Sequence, residues 1–310
     1  MLLSRVADHL FWGARYLERA ECTARVVRTF TEVIVDLPTA LTSSWEPLLA
    51  VAGSRDEYDA THARAGEADI VRFLVADAGN ASSVLSSIGA ARENLRTTRE
   101  VYPREAWQVV NDLNLYALSN NEAAVDRRSR NRVLTRVVSE AQRLDGVLTS
   151  SMSRDEAYEM WRLGQSIERA DMTTRVVGVR AASLLALPAD TDDYDEVQWM
   201  GVLRSLSAMQ MFHRSQRGPI DGASVVRFLL TDPSFPRSVR ACLARIRRSL
   251  NGLPHAAATV PVVDEVDDYL SSLWVEGSDG SALDKAMDGL QANIAALSSR
   301  VSDEFFAGRP

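Results

Sequence analysis

Lysine is nearly absent. The 310-residue chain has a single one, Lys285, so its 35 basic residues are almost all arginine. A GC-rich bacterial genome explains that bias more simply than selection for phosphate does. Net charge is −7 and no segment is strongly basic, so the footprint of a general nucleic-acid binder is missing. Cysteine is scarce too: Cys22 and Cys242 fall in helical patterns without metal-ligand spacing, which predicts reduced, packed thiols. No apolar run approaches the length of a membrane span, and Asp8 and His9 interrupt any leader-like core. A cytoplasmic protein with no membrane attachment is expected. Alternating strand patterns, a nucleophile elbow, a P-loop and a Gly-rich dinucleotide turn are all lacking, and no cofactor is expected.

What is present is helix. With 46% hydrophobic and 25% charged residues, the composition is that of a globular protein. Apolar periodicity and helix-stop signals predict helices over residues 4–35, 44–52, 68–77, 82–101, 132–152, 155–187, 197–212, 223–230, 237–250, 263–275 and 283–306. A further helix carries Trp107, Val110, Leu113 and Ala117, with Pro103 in its first turn. Pro38 and Pro188 close the two long helices. Residues 53–66 read as a mixed loop, 119–130 as an exposed connection and 190–196 as an acidic loop. No Gly/Ser-rich linker divides the chain, so residues 1–310 are expected to form one all-α domain.

The long helices resemble one another. Leu17-Glu18-Arg19-Ala20-Glu21-Cys22-Thr23-Ala24-Arg25-Val26-Val27 returns 150 residues later as Ile167-Glu168-Arg169-Ala170-Asp171-Met172-Thr173-Thr174-Arg175-Val176-Val177. A second block, Arg72-Phe73-Leu74-Val75-Ala76-Asp77, recurs in the same order as Arg227-Phe228-Leu229-Leu230-Thr231-Asp232. Such a long period is not a solenoid repeat. It predicts a large helical bundle built from two pseudo-duplicated halves, about 1–150 and 151–310, anchored by two Glu-Arg helices.

On α-helical spacing, Leu10, Gly13, Leu17, Ala20 and Ala24 make an apolar stripe, with Glu18, Glu21 and Arg25 along one border. Met160, Leu163, Ile167, Ala170 and Thr174 repeat the stripe, bordered by Glu168, Asp171 and Arg175. Charged groups beside a buried face must find partners, which predicts an internal charge cluster. It could grip a polar substrate or raise one carboxyl pKa for proton transfer. The plainer reading is interhelical salt bridges that fix register. Carboxylates three residues apart also suggest di-metal bundles, but Glu21 and Asp171 stand where those sites place histidine, and His9, His62, His213 and His255 fall elsewhere.

A second basic stripe, Arg92, Arg96 and Arg99, could bind an acidic ligand or pair with Glu18 and Glu21; the plainer reading is a solvated basic face. Trp107 and Asn111 lie one turn apart on the next helix. The acidic run Asp192-Asp193-Tyr194-Asp195-Glu196 invites comparison with the aspartate-rich motifs of isoprenoid synthases. It lacks a matching second motif, Asp267-Asp268 being the nearest candidate, and acidic residues are favoured at a helix N-terminus anyway.

Arg5 with His9-Leu10-Phe11-Trp12, Tyr16-Leu17-Glu18-Arg19-Ala20-Glu21, Ala91-Arg92-Glu93-Asn94 and residues 107–111 closely resemble the bacterial alpha-E domain family. It is a helical family named for its Glu-Arg motif, and the resemblance spans essentially the whole chain. Residues matching its motif are Glu18, Arg19, Glu21, Arg25, Arg92, Glu93, Asn94 and Asn111; Arg96, Glu168, Arg169, Asp171 and Arg175 join them as candidates from the repeat and the basic stripe. Leu95 stands where the family commonly has alanine. The resemblance implies a partner: alpha-E proteins tend to be encoded beside, or fused to, circularly permuted ATP-grasp proteins, with transglutaminase-like peptidases nearby. It implies a system that forms and cleaves amide bonds and modifies peptides, in which this chain is an accessory subunit. The alternative is an enzyme or peptide-binding module that uses the Glu/Arg cluster directly.

Overall fold

A computed structural model describes residues 2–36, 44–63, 65–186, 195–216, 218–273 and 280–306. Among these residues there are fifteen α-helices and no strand. They are α1 (Ser4–Asp36), α2 (Pro47–Ala52), α3 (Arg55–Thr61), α4 (Glu67–Val75), α5 (Val84–Arg96), α6 (Arg104–Ser119), α7 (Asn121–Val125) and α8 (Arg127–Ser151). There follow α9 (Glu156–Ala186), α10 (Asp195–Ser205), α11 (Met209–Ser215), α12 (Gly222–Thr231), α13 (Val239–Asn251), α14 (Val260–Ser272) and α15 (Gly280–Phe305).

Local chemistry starts several of these helices. Ser83, Asp126, Asp221 and Ser238 each accept a hydrogen bond from the backbone N–H three residues on, at the N-caps of α5, α8, α12 and α13. Three features differ from the pattern-based expectation. The loop over residues 53–66 contains α3, anchored by buried Tyr58, and the polar connection over 119–130 contains α7, anchored by buried Ala124. Both helices are under two turns long, too short for periodicity to register. The helix expected over 197–212 is two helices, broken where Ser207 takes a φ of 53°. Pro38, Pro188 and residues 192–194 of the acidic run lie outside the described residues; Asp195 and Glu196 open α10.

The two long helices lie side by side and run in the same direction. The Leu2 N–H donates to Glu156, Gly164 packs on Phe11, and Glu18 meets Arg169. α1 is also covered by α5, α8 and α10, and α9 by α13, α15 and α2. Around α1, α5 packs on α6 and α6 on α8; around α9, α13 packs on α14 and α14 on α15. One continuous apolar core runs from Val6 in α1 to Val301 in α15.

Gly164 sets the closeness of the central pair. A Cβ there would overlap the Phe11 carbonyl oxygen and sit 3.0 Å from its carbon, so the backbones touch where a side chain would separate them. From Ala20 to Val27 every residue of α1 is buried. A helix enclosed on all sides buries the charged positions that a half-exposed helix would turn to water.

Candidate functional site

Glu18 and Glu168 face across the α1–α9 interface and are 1% and 0% exposed. Their pairing is reciprocal. Glu18 accepts from Arg169 through Nε (3.1 Å) and Nη2 (2.7 Å), while Glu168 accepts from Arg19 through Nε (2.6 Å) and Nη2 (3.2 Å). These are forked guanidinium–carboxylate pairs, the strong kind. Each carboxylate also takes a second arginine. Arg237 Nη1 reaches Glu18 at 2.5 Å, and Arg15 Nε reaches Glu168 at 2.7 Å.

Next along each helix lie the second carboxylates. Glu21 accepts from Arg25, from Arg237 Nη2 at 3.1 Å and from Gln142 Nε2 at 3.2 Å. Asp171 accepts from Arg175 Nε at 2.8 Å. Arg237 is presented by the turn before α13, and the Thr173 hydroxyl ties that turn to α9 by donating to the Arg237 carbonyl at 2.9 Å. Arg15 is steadied by the Ser298 hydroxyl at 2.6 Å and by the Trp12 ring, 4.9 Å from its guanidinium carbon.

Burial alone would push the Glu18 and Glu168 carboxyls up, but Arg169 and Arg237 at Glu18, and Arg19 and Arg15 at Glu168, outweigh it and hold both below the ordinary range. Asp171 is shifted the other way: burial raises it, and Arg175 offsets only part of that. Burial pushes the Cys22 and Cys242 thiols up to about 12, so neither offers a thiolate near neutral pH. Arg25 is fully buried, and its Nε and Nη1 have no partner among protein atoms. Burial, then the like charge of Arg237, lowers its pKa.

The arrangement is thus a closed knot. Four carboxylates meet six guanidiniums; both oxygens of Glu18 and of Glu168 face arginine, while Glu21 and Asp171 each meet arginine through one oxygen. Among the described residues no group of three or more His, Cys, Asp and Glu is placed to hold a metal ion. Two surface clefts, of about 860 and 450 Å³, are lined by none of the knot's residues. The larger lies between Glu100–Glu105 and Ser151–Ala157, the smaller around Arg72, Glu122 and Arg130.

The second set of candidates sits elsewhere, so of the readings open for the basic stripe its pairing with Glu18 and Glu21 does not hold. Arg92 Nε donates to Asn111 Oδ1 at 2.9 Å, Arg96 pairs with Glu93 at 2.6 Å, and Asn94 Oδ1 meets His9 Nδ1 at 2.8 Å. Arg92 and Arg99 both lie over the Trp107 ring, at 5.3 and 3.8 Å. The reason is geometric: α5 turns this stripe toward α6 and solvent, while its Ala91 and Leu95 meet the core. Sequence reasoning missed Arg15 and Arg237. Arg15, three residues before Glu18 on the same helix face, was discoverable from spacing. Arg237 comes from a turn some 220 positions away and had no local signal.

An all-helical bundle closed around paired Glu-Arg motifs is the class that fold and knot define. The chain belongs to the Alpha-E family, described as a predicted alpha-helical domain with a conserved ER motif, whose model matches residues 2–306. It is similar to uncharacterized proteins Mb2597 of Mycobacterium bovis and MT2643 of Mycobacterium tuberculosis. Each is 26% identical over 94% of this chain and 34% of the relative. The chain therefore spans about a third of the length of the curated relatives it matches. No solved structure matches it.

Proposed function

We propose that this chain is a cytoplasmic, accessory helical subunit of an amide-forming, peptide-modifying system, and that its partner is a circularly permuted ATP-grasp ligase. The observation that carries the non-catalytic part is the closure of the knot: Glu18 and Glu168 are buried and each is held by two arginines. General acid–base work needs a carboxyl whose proton can reach a substrate, and nucleophilic work needs an ionised thiol or a free carboxylate. Glu18 and Glu168 supply neither, and the role of the knot in this reading is to lock α1, α9 and the turn before α13 together.

The ligase class rests on the alpha-E resemblance. A related length argument supports it: in the relatives, a unit like this one sits within a chain about three times as long, and so works alongside further sequence. A transglutaminase-like peptidase of the same system is the second expected partner. Neither nucleic acid nor membrane is expected as one. In this reading the two halves descend from duplication of a half-domain, which accounts for the reciprocal Glu18–Arg169 and Glu168–Arg19 pairs.

Co-expression with a permuted ATP-grasp protein tests the proposal. The expected result is co-elution of the two chains and ligase activity that needs both. A chain that stays a ligase-independent monomer with its own turnover overturns it.

A further inference from the structure

The surface around Trp107 is not used by the knot, and its charges are unusual for this molecule. In a chain of net charge −7, Arg92 and Arg99 form no salt bridge among the described residues, and Arg92 acts on Glu93 only at longer range. Neighbouring Arg96 is neutralised by Glu93. The two unpaired guanidiniums are nevertheless held in place. Both lie within cation–π range of one indole, and Arg92 is fixed further through its Nε by Asn111, leaving its outer nitrogens without a protein partner. An anion that reaches these guanidiniums gains forked hydrogen bonds from donors already ordered against the indole.

We propose that Trp107, with Arg92 and Arg99 packed against its ring, is a docking platform for an acidic segment of a partner protein. A short run of carboxylates fits the observations better than a nucleic acid or an anionic membrane does. The platform offers two cations rather than a field of them, which suits a few carboxylates and gives an extended polyanion no continuing track. The inference is independent of the ligase reading, because the platform is defined by this chain's residues alone.

The test uses the full chain and a fluorescently labelled hexaglutamate peptide, followed by anisotropy at low salt. The expected result is saturable binding, weakened about fivefold or more by Arg99→Gln, a change at an exposed side chain that leaves the melting temperature in place. Arg96→Gln, which removes a cation already paired and frees Glu93, weakens binding less than Arg99→Gln does. Arg92→Lys, keeping charge but losing the fork, weakens binding less than Arg99→Gln does. Absence of binding overturns the proposal, as does equal loss in the Arg96 and Arg99 variants. A labelled single-stranded oligonucleotide or phosphatidylserine vesicle that binds while hexaglutamate does not overturns it too.

Discussion

Removing one carboxylate from the knot would leave Arg169 and Arg237 facing each other in a buried site. Losing one partner of a buried ion pair costs about 3–5 kcal/mol because the charge left behind stays desolvated. Glu18→Gln is therefore expected to lower unfolding stability by about 3 kcal/mol, the amide keeping part of the hydrogen bonding; chemical denaturation measures it. The same groups set an acid limb. Glu18 and Glu168 are held below their ordinary 4.5, so their contribution is fully present above that pH and is lost as pH falls through their folded values. Asp171, raised above 3.8, works in the opposite sense and gains on acidification. Two against one gives a net fall in stability from about pH 5 toward about pH 2, shallower in Glu18→Gln than in the parent. Equal slopes in the two proteins would contradict this. At this scale the sequence was partly legible: while Asp171 and Arg175 are half-buried, Glu18, Glu21, Arg25 and Glu168 were identifiable as buried charges from position alone. Their partners were not, because Arg237 and Gln142 arrive from distant turns and helices.

Between elements, the decisive contact is backbone on backbone. Gly164→Ala would drive a methyl into the Phe11 carbonyl, and α1 and α9 would have to part, stretching both reciprocal ion pairs. A destabilisation of about 2–3 kcal/mol is expected, read as a lower melting temperature. Gly146 in α8 is the contrast. It is exposed and nothing lies within 4 Å of a Cβ placed there, so Gly146→Ala is expected to stabilise by about 1 kcal/mol through helix propensity. Long helices were legible to within a few residues because they hold their period over many turns. Short α3 and α7, and the break at Ser207, were not, since a helix of one or two turns exists by the packing of one or two side chains.

Over the whole molecule, the central interface makes the helices packed on α1 and those packed on α9 depend on each other. Separation would expose Phe11, Leu17, Trp161 and Ile167 and strand Glu18 and Arg169 without partners. A chain ending near residue 151 is expected to show no cooperative thermal transition, while the full chain melts in one; two separate transitions in the full chain would sink that expectation.

The sequence by itself determined the helical class, the two long Glu-Arg helices and the burial of their acidic edges, because periodicity and the cost of an unpaired charge are local or composition-level physics. Only the tertiary structure decided which arginine answers which carboxylate, that the knot is closed, and that Arg92 and Arg99 gather on Trp107 instead of on Glu18. Those outcomes turn on which distant helices touch, and no spacing along one helix encodes that.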